Sequence, residues 1–500
     1  MDLINIFINV LQPQYLLLIL AGVVVGSIFG TIPGLNAPIA VALVLPFTFV
    51  MDVMSSMCII MGLYMGCVSG GLVSAILLKI PGTAASVATT FDGYPMAQKG
   101  MATEALSYGA FASIFGGLFS TICLIAFAPV LANMAIGFGP WEYFGTATLS
   151  LVIVCVLSAD SLKAFTVALI GLLFKTVGMS PVDGVAARYT FGNYNLESGF
   201  NLIVVIIGIF ALPEILNSIG ELRVKAKPVK VKKRIFYVPG LKIIKENLGT
   251  MIRGSVIGTA IGILPGMGGG AASLISYAQA KKGSKHPELF GTGIAEGIFC
   301  CESANNATTG GALIPMLALG VPGDTVTAII MGALTLQGIT PGPLLSMNQP
   351  SLFKSIIVIV LIANIFMFLY QITTIRLMSK IIEIPKRYLF PLVSMFCVVG
   401  VISLNNNLFD LIALMGFMIV GYTLDKNHYP LAPFVLANVL GGIIEDNMRR
   451  AIIYQRGFLN CMKVPSIGTV FFILAVLLPV FSYLLKKPGI RKALRLKNRE

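Results

Sequence analysis

Two halves of this 500-residue chain each carry a pair of proline–glycine breaks inside long apolar segments, at matching points. The first pair is Gly30-Thr31-Ile32-Pro33-Gly34 and Ile80-Pro81-Gly82-Thr83. The second is Gly262-Ile263-Leu264-Pro265-Gly266 and, at a similar separation, Val321-Pro322-Gly323-Asp324-Thr325. Proline removes a backbone donor and clashes with the preceding turn, while glycine lets the chain leave helical geometry. Hydrocarbon tolerates backbone groups freed in this way only where protein buries them or a wet cavity meets them. Paired interruptions in corresponding places of two halves point to the midplane site of a secondary transporter. The expectation is a chain that moves a solute.

Only 11% of residues are charged and 56% are apolar, where a soluble domain averages about 25% charged. Such a chain lacks the polar surface to cover a water-soluble body. Runs such as Tyr15–Gly30, Met57–Leu78, Leu202–Leu216, Ser355–Tyr370 and Val470–Leu485 suit a bilayer core of about 30 Å. A polytopic membrane protein follows.

The net charge of +14 is concentrated in two places. Residues 222–245 hold nine Lys/Arg and no acid, and residues 486–500 hold seven against Glu500 alone. Both flank membrane segments, so the positive-inside rule makes them cytoplasmic rather than a nucleic-acid footprint. The eight cysteines include no Cys-x-x-Cys pair and read as packing residues. Met1-Asp2 supplies no basic n-region for a cleavable signal. The first apolar stretch is therefore expected to remain.

This charge rule gives a topology. Tyr15–Phe49 reads as a broken or re-entrant element, Met57–Leu78 crosses inward, and Glu104–Leu131 returns outward with Trp141 as an interfacial anchor. Two shorter spans flank Asp160 and Lys163, and Leu202–Leu216 leads to the basic connector. Basic residues on both sides of Met251–Ala280 make that broken segment enter and turn back, its first-half counterpart doing so from the opposite face. Leu431–Ile444 reads as a further re-entrant or interfacial piece. The domain expectation is a first repeat over 1–221, a connector at 222–245, a second repeat over 246–485 and a tail at 486–500.

The densest polar cluster runs from Glu296 to Asp324 and includes Glu302-Ser303-Ala304-Asn305-Asn306-Ala307-Thr308-Thr309. Amides and hydroxyls bind a carboxylate or a cation without a permanent charge, and helix N-termini at the breaks add anion-friendly N–H groups. The same groups also serve simply to bond helices together or cap them. Asp324, directly after Pro322-Gly323, suits an N-cap, a coupling-ion ligand, or both. Glu296 and Glu302 are functional candidates if they lie at membrane depth. Arg253, Lys175 and Arg376 suit snorkelling from helix ends. Gly266-Met267-Gly268-Gly269-Gly270 lacks the strand–helix context of a dinucleotide loop, and no Gly-Lys-Ser/Thr occurs, so no Walker A ATPase is present. With only His286 and His428, His-rich zinc sites and most catalytic triads are excluded.

At these residues the chain resembles the large membrane subunit of tripartite tricarboxylate transporters (TctA-type). The resembling stretches are Gly30–Leu35, Asp92–Gly100, Pro181–Gly192, Phe210–Glu214, Gly262–Gly268, Glu302–Asn306, Gly320–Asp324 and Glu445–Arg450. Two departures flank the break region: Asn36 stands where glycine or alanine is usual, and Cys301 where proline is common. The resemblance implies a prokaryotic inner-membrane importer of citrate-like tricarboxylates, dicarboxylates or other small carboxylates. It implies a Na⁺ or H⁺ gradient as the driving force. A periplasmic solute-binding protein and a small four-helix membrane subunit are the implied partners.

The combined expectation is an all-α polytopic membrane protein of about 10–12 segments in two inverted-topology repeats. It is not an enzyme and needs no cofactor beyond a coupling cation. Substrate contacts are expected from Gly34, Asn36, Gly82, Thr83, Gly266, Gly268, Asn305, Asn306, Gly323 and Thr325. Asp324 and the carbonyls of Pro33 and Pro265 are the expected ligands of the coupling ion. An ion or anion channel with a broken-helix pore shares these breaks, and a membrane-embedded enzyme would need a catalytic dyad that the sequence does not display.

Overall fold

The computed structural model describes residues 3–180, 187–219, 229, 237–382, 384 and 386–486. Most of the basic connector at 222–245 and the tail beyond Lys486 lie outside the described residues, as do positions 181–186 of the Pro181–Gly192 stretch and the side chain of Arg376. The described chain is helical almost throughout. It begins α1 (Leu3–Val10), α2 (Pro13–Thr31), α3 (Ala37–Phe49), α4 (Val53–Leu78), α5 (Thr89–Met96) and α6 (Ala102–Ala135). There follow α7 (Pro140–Leu157), α8 (Ser161–Lys175), the two-residue strands β1 (Gly178–Met179) and β2 (Ala187–Arg188), α9 (Leu202–Ile206) and α10 (Leu212–Ile219). The second half runs α11 (Leu241–Ile263), α12 (Gly268–Gly283), α13 (Ala295–Leu319), α14 (Thr325–Leu336), α15 (Pro343–Asn348) and α16 (Pro350–Ile381). The last helices are α17 (Lys386–Asn405), α18 (Leu408–Lys426), α19 (Ala432–Gln455), α20 (Phe458–Lys463) and α21 (Ile467–Lys486). Among the described residues seven helices are long and apolar enough to cross a membrane, with four shorter apolar helices beside them. The fold is an all-α polytopic membrane protein.

Two compact units are interleaved along the chain, one of residues 1–136 and 202–423, the other of 137–201 and 424–500. This partition crosses the halves read from the sequence rather than following them.

Within the first unit the same helix pairing occurs twice. Gly22, Gly26 and Gly30 on α2 sit against the backbone of Ile59, Leu63 and Cys67 on α4. In the second half Gly254, Gly258 and Gly262 on α11 sit against Cys300–Ser303, Ala304 and Thr308 on α13. The offset from Gly22 to Gly254 is the same as from Gly26 to Gly258 and from Gly30 to Gly262. At each contact an added methyl would overlap a carbonyl, so the glycines set how closely the helices approach, as small residues do in membrane packing. Both α4 and α13 end in a left-handed residue, Lys79 at φ 61° and Gly320 at φ 70°. Every residue from Gly297 to Ala318 on α13 is buried, which lets this helix carry polar groups inside protein rather than facing lipid. In contrast α21 exposes Val470, Ile473, Leu477 and Phe481 along its length, as a lipid-facing helix does.

Helices α11 and α12 form a hairpin. The break at Leu264–Met267 is its tip, and α12 returns so that Gly283 lies beside Arg253. At that far end Thr250 and Ser284 both donate to Glu296, at 3.1 and 2.7 Å. Glu296 thus ties three chain segments together.

The second unit packs α7 on α19 and α21, and α8 on α19. Trp141 is 5% exposed, stacked among Phe144, Phe458 and Phe472, with its indole N–H donating to Thr469 at 3.0 Å. It is a core residue of this unit, not the interfacial anchor expected, because Phe458 and Phe472 arrive from the far end of the sequence to cover it. The segment Leu431–Ile444 is likewise no separate re-entrant piece. It belongs to the continuous helix α19, which runs on to Gln455.

Candidate functional site

Each half brings its two breaks together. Gly82 lies against the carbonyl of Gly30, and Gly323 against the carbonyl of Gly262. The Gly266 N–H closes the second pair by donating to the Gly323 carbonyl at 2.9 Å. Gly34 and Gly266, related by the same offset as Gly30 and Gly262, adopt φ of 93° and 81°, a region closed to most side chains and open to glycine. Among the described residues no backbone N–H donates to the carbonyls of Pro33 or Pro265. Both carbonyls therefore remain open as acceptors.

Short polar caps start the helices after the breaks. Asn36 Oδ1 accepts the Ile39 N–H at 3.2 Å and caps α3. Asp324 Oδ1 accepts the Thr327 N–H at 2.7 Å and caps α14, while the Asp324 N–H donates to Thr327 Oγ1 at 2.9 Å. Thr83 follows Gly82 as Asp324 follows Gly323, and it repeats the second of these bonds by donating its N–H to Ser86 Oγ at 3.2 Å. Thr325 opens the first turn of α14 and is half-buried. Gly268 opens α12 with φ 61°.

The halves meet through side chains on α4 and α13. Tyr64 on α4 donates its hydroxyl to Asp324 Oδ2 at 2.6 Å. The offset that relates Gly82 to Gly323 relates Tyr64 to Asn305 on α13. The Asn305 amide donates to the Val68 carbonyl at 3.3 Å and to Glu302 Oε2 at 3.4 Å. Asn305 Oδ1 is buried with no hydrogen-bond partner and faces Gly269. Gly269 and Gly270, at the start of α12, meet Ala85 and Ala84 just past the Pro81-Gly82 break. The adjacent Asn306 differs: its amide is engaged by Ser113 Oγ at 2.8 Å and the Glu302 carbonyl at 3.1 Å. It fastens α13 to α6.

Glu302 is fully buried. Thr89 on α5 donates to its Oε1, and Ser113 on α6 approaches Oε2 at 3.4 Å. Asp92, one turn past Thr89, has Oδ1 accepting three loop amides, Gly291 at 2.9, Gly293 at 2.7 and Ile294 at 3.0 Å. Its Oδ2 accepts the Tyr277 hydroxyl at 2.8 Å. Sequence reading picked out neither Tyr64, Thr89 and Ser113 nor the role of Asp92. A lone hydroxyl in an apolar run gives no signal of its partner. A signal for Asp92 does exist in the sequence, since it is the one charged residue between Lys79 and Lys99.

A separate cavity of about 510 Å³ lies in the second unit, lined by Lys175, Arg188, Glu197, Asn438, Glu445 and Asp446 among others. Arg188 pairs with Glu445 through both guanidinium nitrogens of its fork, and Arg449 reaches the same carboxylate at 2.9 Å. Lys175 lines this cavity rather than snorkelling from a free helix end.

No solved structure matches this chain. It is 39% identical over 456 residues, spanning 90% of its own length and 89% of the relative, to an uncharacterized 52.8 kDa protein in the TAR-I ttuC' 3' region of Agrobacterium vitis. It is 44% identical over 200 residues, 40% of its length and 83% of the relative, to an uncharacterized protein in the TAR-II ttuC' 3' region of the same organism. The family model for the tripartite tricarboxylate transporter TctA family matches residues 16–436, a stretch that holds all four breaks. The chain belongs to the tripartite tricarboxylate transporter TctA family.

Proposed function

We propose that this protein is the large permease subunit of a binding-protein-dependent secondary transporter that imports small carboxylates, driven by a gradient of Na⁺ or H⁺. The observation that carries the reading is the paired set of touching breaks, repeated in both halves, in a chain of a transporter family. Broken helices offer N–H groups to an anion and freed carbonyls to a cation. Gly34, Gly82, Gly268 and Gly323 supply backbone amides to a substrate carboxylate, while Gly266, whose amide is held by the Gly323 carbonyl, shapes the turn beside them. Asn36, Thr83, Asn305 and Thr325 are the side chains set about them, Asn306 holds α13 in place beside them through Ser113, and Asp324 with the carbonyls of Pro33 and Pro265 serve the coupling ion. Asn305 is the strongest of these: its buried oxygen has no partner and would accept from a hydroxyl or protonated carboxyl of the substrate, and a buried acceptor left unmet costs about 1–3 kcal/mol.

The two halves would lie in the membrane with inverted topology and alternate access between its faces. The periplasmic binding protein and a small four-helix subunit complete the complex in a prokaryotic inner membrane, with the basic connector and tail in the cytoplasm. The test is uptake of labelled carboxylates into proteoliposomes holding this chain and its small subunit, with binding protein outside. Gradient-driven uptake that requires the binding protein supports the reading. Uptake without saturation or without the binding protein would instead indicate a channel.

A further inference from the structure

We propose that Glu302 is the proton-carrying group of the transport cycle, a role that rests on the transporter reading above. Its carboxyl is fully buried at the meeting of α13, α5 and α6. Among the described residues its hydrogen-bond partners are Thr89, Ser113 and Asn305, all neutral. An ionised carboxylate in such a place is expensive unless it is paired or well hydrogen-bonded.

The two oxygens are treated unequally. Oε1 has a short bond to the Thr89 hydroxyl, whereas both groups on Oε2 stand at 3.4 Å. Bonds to an ionised carboxylate normally close to about 2.7–2.9 Å from nitrogen and shorter from oxygen. A neutral acid with its proton on Oε2, and Oε1 as the C=O oxygen that accepts from Thr89, fits this arrangement, whereas the two long contacts on Oε2 do not suit a full charge on the carboxylate.

The same geometry disfavours a metal cation at this point. The Asn305 NH₂ lies between the Val68 carbonyl and Glu302, two acceptors that fix its orientation. A donor, not an oxygen ligand, therefore faces the carboxylate.

The titratable groups on the surrounding elements are few. Cys300 and Cys301 immediately precede Glu302 on α13. Asp92 on α5 and Tyr277 on α12 bond each other, and Tyr64 on α4 bonds Asp324. Glu104 and Tyr108 lie on α6, and Arg253 on α11 is exposed beside Gly283. The bonds found for Glu302 include none to a cation. In the cycle the Glu302 carboxylic acid releases its proton to water on the side that opens. The carboxylate regains one from the opposite side before it is enclosed again. Protons are the only species exchanged in that step.

The experiment is infrared spectroscopy of the full chain in lipid nanodiscs at neutral pH, beside proton uptake by proteoliposomes carrying the complete transporter. A protonated-carboxyl C=O band that is lost in Glu302→Gln and shifted to higher frequency in Thr89→Val is expected. Wild-type vesicles should take up protons together with carboxylate, and Glu302→Gln vesicles should not accumulate substrate on a proton gradient. No band lost in Glu302→Gln, or proton-driven accumulation by that variant, would overturn the proposal. If Glu302→Gln does not fold, an unshifted band in Thr89→Val overturns it alone. If wild type moves no carboxylate at all, the transporter reading fails, while the infrared band still decides whether Glu302 holds a proton.

Discussion

The Tyr64 hydroxyl donates to Asp324 Oδ2 at 2.6 Å across 260 positions of sequence. This bond joins the first half's long helix to the cap of a helix in the second. It ties the last break to α4, so the cap's orientation depends on both halves at once. Asp324 also holds its own helix start through Thr327. One carboxylate therefore serves two fastenings.

Removal of that hydroxyl should separate the two. Tyr64→Phe leaves the α14 cap intact and removes a bond to a carboxylate worth about 1.5–3 kcal/mol. Asp324→Ala removes both fastenings and should destabilise more. A double-mutant cycle on thermal unfolding in detergent isolates the pair, and strict additivity would show that the bond contributes nothing.

The glycine faces make a second prediction, matched between halves. Gly26→Ala and Gly258→Ala each drive a methyl into a carbonyl, of Leu63 and Ala304 respectively, and overpacking of this kind costs about 1–3 kcal/mol. Gly249 on α11 has nothing within 4 Å of an added Cβ, so Gly249→Ala should be neutral or gain up to about 1 kcal/mol of helix propensity. Melting temperatures of the three variants decide it, and equal values would show that the close approach is not what holds these helices.

Much of this was legible in the sequence for a physical reason. Proline and glycine act on the backbone locally, so the four breaks and the half-to-half spacing show without a fold. Likewise Asp324 reads as a cap because the capping bond reaches only to Thr327, within the first turn of its own helix. Glu302 stands out in the sequence as an acid within the polar cluster, but its burial and its partners do not: Thr89 and Ser113 lie on α5 and α6, in the other half of the chain, and apolar periodicity carries no record of them. Neighbouring Asn305 and Asn306 look alike in sequence. They point about 100° apart on a helix, so one faces α4 and the other α6. The second unit was hidden entirely, because 137–201 and 424–500 come together only through long-range packing.

Asp92 should behave as a structural clasp. Its Oδ1 gathers three loop amides ahead of α13, and Asp92→Ala leaves three donors unmet, each costing about 1–3 kcal/mol. Asp92→Asn keeps that oxygen and presents NH₂ to the Tyr277 hydroxyl, which accepts. Hydrogen exchange over residues 291–294 should rise sharply in the alanine variant and little in the asparagine one. Equal exchange in both would deny the clasp.

In the second unit the Arg188–Glu445–Arg449 arrangement should hold β2 to α19. The pair is partly exposed, at 22% and 16% of side-chain area, so breaking it should cost less than the about 3–5 kcal/mol of a fully buried pair. Glu445→Gln retains one acceptor for Arg188, whereas Glu445→Ala leaves two guanidinium groups without their carboxylate. Proteolysis near β1 and β2 should accelerate in the order wild type, glutamine, alanine. A flat series would place the anchoring elsewhere.

Asn305 and Asn306 give the sharpest division between site and scaffold. Asn306→Ala strips the bond to Ser113 and the Glu302 carbonyl, and the loss should show as about 1–3 kcal/mol of stability. Asn305→Ala removes instead an oxygen that has no protein partner, together with an amide whose two bonds are long, so stability should change less. If that oxygen orients a bound substrate through its protonated or hydroxyl groups, carboxylate affinity should fall about tenfold, the equivalent of about 1.4 kcal/mol. Substrate protection against thermal unfolding measures both effects in one assay. Affinity lost in Asn306→Ala and kept in Asn305→Ala would reverse the assignment and move the substrate to the α6 face of α13.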